Sequence, residues 1–181
     1  MFRWVHRFTR LLADAARFCR HSPGDRWFVD ETYVKIGDRW RYVYRAIDQH
    51  GQVIDVLVSP RRDAAAARRF FTRPSPGNLE GEADRGGHRR RGGLPAVPDE
   101  LIPAAWHHAE RYANNPIEAD HRRLKHRLRA MRGLQTDRTA QVIIAGHAFV
   151  QNLRRGHYEL GVDLPPTLWV AAAFTELAAA I

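Results

Sequence analysis

Apolar residues recur at two different periods along the chain, and each change of period marks an element. From Met1 to Arg20, Trp4, Val5, Phe8, Leu11, Leu12, Ala15 and Ala16 fall at helical spacing, which predicts an amphipathic helix. "HSPGD" breaks it. "RWFVDETYVKI" follows as a β-branched and aromatic run, and Gly37-Asp38 is a two-residue hairpin signal. "RWRYVYRAID" alternates, with Trp40, Tyr42 and Tyr44 on one face, and "QHG" turns the chain into "QVIDVLVS". These three strands form an antiparallel meander. Asp63 then caps a helix through "AAAARRFF", whose Ala67, Phe70 and Phe71 share a face.

Beyond residue 97, "PDELIPAAWHHAERY" suggests a short helix and then a short strand around His107 to Tyr112. "ANNPIEADHRRLKHRLRAM" is a clearer helix, with Asn115 as N-cap, Pro116 in the first turn and Ile117, Leu124, Leu128 and Met131 as its apolar stripe. Gly133 ends it. A long amphipathic helix from Asp137 to about Arg155 and a last one in "PPTLWVAAAFTELAAA" complete the order, with no internal repeat.

Three antiparallel strands, a helix, then alternating strand and helix is the order of a ribonuclease-H-like α/β fold. That order calls for a buried parallel strand directly after the first helix, normally about four to six apolar residues. Arg73 to Pro95 occupies the slot with six of the thirteen glycines, five arginines and no valine, isoleucine or aromatic residue. The expectation is therefore an α/β fold with one central strand disrupted. Residues 73–97 should be irregular and exposed, leaving a gap in the sheet beside the first strand.

Composition narrows the partner. An apolar content of 44% over 181 residues is ordinary for one domain with a core. The net charge of +9, spread along most of the length, favours a polyanion, with nucleic acid ahead of a membrane surface. Cys19 is the only cysteine, so neither a disulfide framework nor a cysteine zinc site is available. The longest apolar run is too short to span a bilayer, and the N-terminus lacks a signal-peptide pattern. No membrane association and a bacterial cytoplasmic location are expected.

Two carboxylates stand out. Asp30 lies mid-strand in "WFVDETYV", on the face of Phe28, Thr32 and Val34, while Glu31 points to the other side. Aspartate on a half-buried strand face is costly unless paired or metal-bound, although a strand-end aspartate facing solvent would satisfy the same pattern. Glu118, three residues after Asn115, fits a capping box and an ion pair with Arg122, or else a metal-ligating carboxylate at a helix start. Its face continues through Arg122, Lys125 and Arg129, cations able to hold phosphates. His107 and His108 are adjacent and His121 and His126 five apart, spacings that argue against zinc.

"DRWFVDETYVKIGDRWRYVYRAIDQHGQVIDVLVS", "YANNPIEADHRRLKHRLRAMRGL" and "AGHAFVQNLRRGHYEL" together resemble bacterial insertion-sequence transposases of the insertion-sequence-six family, within the DDE (retroviral-integrase) superfamily. The likeness covers nearly all of the chain except Arg73 to Val97. It implies Asp30 as the first catalytic and metal-binding carboxylate and Glu118 as the third. It also implies magnesium or manganese as cofactor, and DNA (transposon ends and target) as partner. Arg122, Lys125 and Arg129 would be DNA-binding residues, with Lys125 matching the family's basic residue beyond the glutamate. A homo-oligomer and a nucleoid-associated location follow from the same likeness. The implied division is 1–21 as the remnant of an N-terminal helix-turn-helix region, 25–157 as the DDE-type domain and 158–181 as a helical tail.

Two features depart from the family. Of the end-gripping helix-turn-helix region only a last helix, Phe2 to Arg17, is recognisable, so the chain reads as N-terminally truncated. The middle aspartate falls in the unusual stretch, where Asp84 is the only aspartate and nothing apolar precedes it. Glycine and arginine richness without a core pattern is what a shifted reading of GC-rich DNA produces. Back-translated and moved on one base, Gly77 to Pro95 can read ATSKVKPTEVVTDAAAVYP: a short strand, "EVV", then an aspartate across the codons of Arg89 and Arg90. The rival reading is a "RGGHRRRGG" loop that binds nucleic acid through flexible arginines. Such a loop would not restore the buried strand, so a frameshifted, inactive copy is preferred. A non-catalytic DNA-binding or oligomerising remnant that modulates a full-length transposase is the alternative, and an unrelated nuclease must explain the matched motifs.

Overall fold

The computed structural model describes residues 2–24, 27–63, 65–66, 69–70, 86–88, 115–129 and 134–181, and of residues 2–6, 86–88 and 115–116 the backbone alone. The chain divides into two compact units, one of residues 23–141 and one of residues 1–22 with 142–181.

The first unit is a mixed α/β structure built on β1 (Trp27–Ile36), β2 (Arg39–Asp48), β3 (Val53–Ser59) and β4 (Gly86–His88), in the order β3-β2-β1-β4. β1 and β2 form the expected hairpin, with Phe28 opposite Ile47 and Ile36 opposite Arg39. Gly37 and Asp38 both take positive φ, 51° and 62°, the conformation a two-residue turn needs to match strand twist. At the next turn the buried Asp48 carboxylate accepts the amides of His50, Gln52 and Gly24 at 2.8–2.9 Å, which satisfies its charge without a cation.

Both faces of the sheet are covered away from the hairpin, so the last six residues of β2 are all buried. On one face Val29, Tyr44, Ala46 and Ile54 pack with Ala66 and Phe70, which belong to the helical residues 65–66 and 69–70. Asp63 caps this segment as expected, its Oδ1 accepting the Ala66 amide at 2.7 Å. The opposite face receives α2 (Asn115–Arg129), whose Ile117 and Leu124 are fully buried. α3 (Asp137–Arg154) begins beside β3: the Gln141 side chain accepts the Val58 amide at 2.7 Å and donates to the Val56 carbonyl at 2.9 Å. That amide occupies backbone groups along the strand.

The expected gap beside β1 is corrected. Gly86–His88 pairs in parallel with Trp27–Val29, so the slot holds a three-residue strand. Pairing uses backbone groups, which glycine carries as well as valine does; only the side chains that a buried strand contributes are missing here. The rest of 73–97, with Asp84, Arg89 and Arg90, lies outside the described residues, as do the helix and strand expected over 98–112, and Met131 and Gly133.

In the second unit, α1 (Phe2–Ala15) runs on as a 3₁₀ turn over Ala16–Cys19, and α4 (Trp169–Ala178) closes the chain. Leu12, Ala16, Phe149, Leu153, Tyr158, Leu160, Ala173 and Leu177 form its core, with the Phe149 and Tyr158 rings edge to face at 5.5 Å. Among the described residues no helix is long and apolar enough to cross a membrane.

Candidate metal and nucleic-acid site

β1 is flanked by strands on both sides, and Asp30 lies in its middle, directly opposite Arg45 of β2. Cross-strand partners share a face, so both side chains point toward α2. The Arg45 guanidinium is fully buried and its Nε lies 2.5 Å from Asp120 Oδ2 of that helix. One residue on, His121 Nδ1 is 3.7 Å from Asp30 Oδ2. Burial first, and the Arg45 charge second, push the His121 pKa down to about 4, so at neutral pH this imidazole is uncharged. A neutral ring at 3.7 Å is a polar neighbour rather than an ion-pair partner. The Asp30 Oδ1 accepts the Glu31 amide at 2.8 Å, which fixes the carboxylate while its side chain stays 28% exposed.

Period-two alternation places these residues as the sequence predicts: Phe28, Thr32 and Val34 are buried on the Asp30 face, and Glu31 points the other way, where Arg62 pairs with it. Burial raises the Glu31 pKa despite the Arg62 charge, so desolvation outweighs the attraction there.

Glu118 sits in the first turn of α2 and is exposed. It stands three residues before His121, hence next to it on the helix surface and about one turn from the residue that touches Asp30. Arg122 and Arg129 are exposed, whereas Lys125 is half-buried with its ammonium 4.8 Å from the centre of the Tyr33 ring. Among the described residues no three histidine, cysteine or acidic side chains gather as a metal site. The position expected for the middle aspartate lies outside them.

Asp120 and His121 are the residues that the apolar pattern missed. They fall three and four positions after Ile117, on the stripe itself, and are buried with it. Two ionisable residues inside an apolar stripe require partners, and that was the available signal.

The DDE-domain family model DDE_Tnp_IS240 matches residues 24–82 and 94–157. Among curated proteins, the transposase for insertion sequence-like element IS431mec of Staphylococcus aureus (strain N315) is 28% identical over 141 residues, 75% of this chain and 62% of that protein. The transposase for insertion sequence element IS257 in transposon Tn4003, also of Staphylococcus aureus, matches to the same extent. The uncharacterized protein pYV0051 of Yersinia pseudotuberculosis serotype I (strain IP32953) is 40% identical over 47 residues, 26% of this chain and 44% of that protein. The chain thus spans about 62% of the length of the transposases it matches. No solved structure matches it.

Proposed function

The chain belongs to the DDE-domain family DDE_Tnp_IS240, and from that premise we propose that it is a transposase-derived DNA-binding protein whose ancestral reaction is DNA cleavage and strand transfer. One observation carries the reading: α2 docks on the central strand so that the turn after Glu118 meets Asp30, through His121 and the Arg45–Asp120 pair. The DDE-type domain in this reading is 25–157, with 1–21 before it and a helical tail over 158–181.

Asp30 and Glu118 would hold a divalent ion, magnesium or manganese. Their carboxylates are the hard oxygen donors such ions take, and Asp30 is solvent-accessible on an otherwise buried strand face. In this reaction class one ion would activate a water or 3′-hydroxyl and a second would stabilise the leaving oxygen, and Asp30 with Glu118 alone would make one partial site of that kind. The chain's own part is positional. The sheet fixes Asp30, α2 presents Glu118, and Arg122, Lys125 and Arg129 on the Glu118 face would hold phosphates beside them.

In this reading the copy binds DNA without joining it. The described strand β4 is Gly86–His88, and in the sequence Arg89 and Arg90 follow, where this reading expects the middle carboxylate. A cation there would repel a metal ion instead of ligating it. The family match is interrupted at 83–93, within the same stretch. The shifted reading sets "EVV" across the codons of residues 85–88 and supplies threonine and then aspartate after it. The alternative, a remnant that pairs with a full-length transposase and modulates it, shares the DNA binding and adds an oligomer.

The test is magnesium- or manganese-dependent joining of a pre-cut DNA end by three proteins: this chain, the chain with 75–95 replaced by the shifted reading, and that repaired chain with Asp30→Ala. Joining by the repaired chain alone is the expected result. Joining by the unrepaired chain that disappears with Asp30→Ala would show the inactivity claim to be wrong.

A further inference from the structure

At the hairpin end of β1 and β2 the layer over the Tyr44 face stops, whereas Val34 and Ile36 on the Asp30 face stay buried, and on the uncovered face two aromatic side chains stand in solvent: Tyr33 is 57% and Trp40 58% exposed. Their rings meet edge to face at 5.2 Å with planes at 84°. In that arrangement the ring that offers its edge keeps both of its faces clear of the other. The Lys125 ammonium lies over Tyr33 at 4.8 Å, arriving from α2, a different element. Arg39, beside Trp40, is exposed, while Lys35 is held by Asp38 at 3.0 Å. A hairpin contact explains why the rings touch. It does not explain why large apolar rings are kept in water beside a cation from the helix that bears Glu118.

We infer that Tyr33, Trp40 and Lys125 form a stacking platform for unpaired DNA bases. Exposed aromatic faces combined with positive charge are the features that bind single strands without sequence preference. Duplex DNA cannot use them, because a base stacks on a side chain only after leaving its own stack. Tyr33 is three residues beyond Asp30 along β1, about 10 Å at ~3.3 Å per residue, and the odd offset puts it on the opposite face of the strand, with Lys125 of α2 reaching its ring. Lys125 is seven beyond Glu118 along α2, again about 10 Å at ~1.5 Å per residue. This inference rests on the DNA-binding reading above.

The full chain can be tested with a single-stranded oligonucleotide carrying 2-aminopurine, and with a duplex of the same length. Stacking on the platform should quench the probe in the single strand. Trp40→Leu and Tyr33→Leu should each lower the ratio of single-strand to duplex affinity about tenfold. Quenching in the unaltered chain is read without any substitution, so a variant that fails to fold leaves the question answerable. Absence of that quenching, or an unchanged affinity ratio in folded variants, would overturn the platform. Failure to bind the duplex at low salt would instead count against the DNA-binding reading.

Discussion

Arg45 and Asp120 form an ion pair with almost no solvent contact, their side chains 0% and 1% exposed, and it ties the middle of β2 to α2. Burying both charges is costly, and their attraction offsets that cost only while both are present. Asp120→Asn should therefore destabilise the chain by about 3–5 kcal/mol in urea unfolding, because a guanidinium stays buried without its counter-charge. Arg45→Met with Asp120→Leu should recover most of that loss. A single variant within about 1 kcal/mol of the parent would show that the pair carries little of the docking.

His121 makes stability acid-sensitive. Its folded pKa of about 4 lies below the ordinary 6.5, so the unfolded chain binds the proton more readily. Stability from this group is full above pH 6.5 and falls as pH drops toward 4. At pH 5 the loss should be about 2 kcal/mol, from roughly 1.4 kcal/mol per pH unit. His121→Leu should flatten that part of the pH–stability curve, as thermal melts at pH 7 and pH 5 would reveal.

Binding to duplex DNA should weaken steeply with salt, because phosphate contacts release counterions. Arg122→Ala should reduce the slope of log K against log salt concentration by about 0.9, the value of one phosphate contact. An identical slope would remove Arg122 from the DNA-facing set.

Gly156 follows α3 with φ +74°, and a Cβ there would meet the Trp169 ring at 2.7 Å. Gly156→Ala should cost more than about 1 kcal/mol, since both backbone conformation and space oppose it. Calorimetry on the purified variant would detect the change, and an unaltered melting temperature would contradict it.

Periodicity along the chain was enough to place the β1–β2 hairpin at Gly37-Asp38, the Asp63 cap, the opposite directions of Asp30 and Glu31, and the stripe through Ile117 and Leu124. Each follows from near neighbours, whose spacing decides which side chains share a face. Which faces are covered depended on elements distant in sequence. Trp40, Tyr42 and Tyr44 alternate identically, yet Trp40 is exposed, Tyr42 half-buried and Tyr44 fully buried, because the layer over their face ends before the hairpin, while Ile36 on the other face stays buried. Asp120 and His121 became buried partners of Arg45 and Asp30 only when α2 met the sheet, 75 and 91 residues earlier in the chain for those two pairs. Gly86–His88 pairs with β1 although its side chains offer no strand signal, because strand pairing is made by the backbone, and hydropathy does not register it.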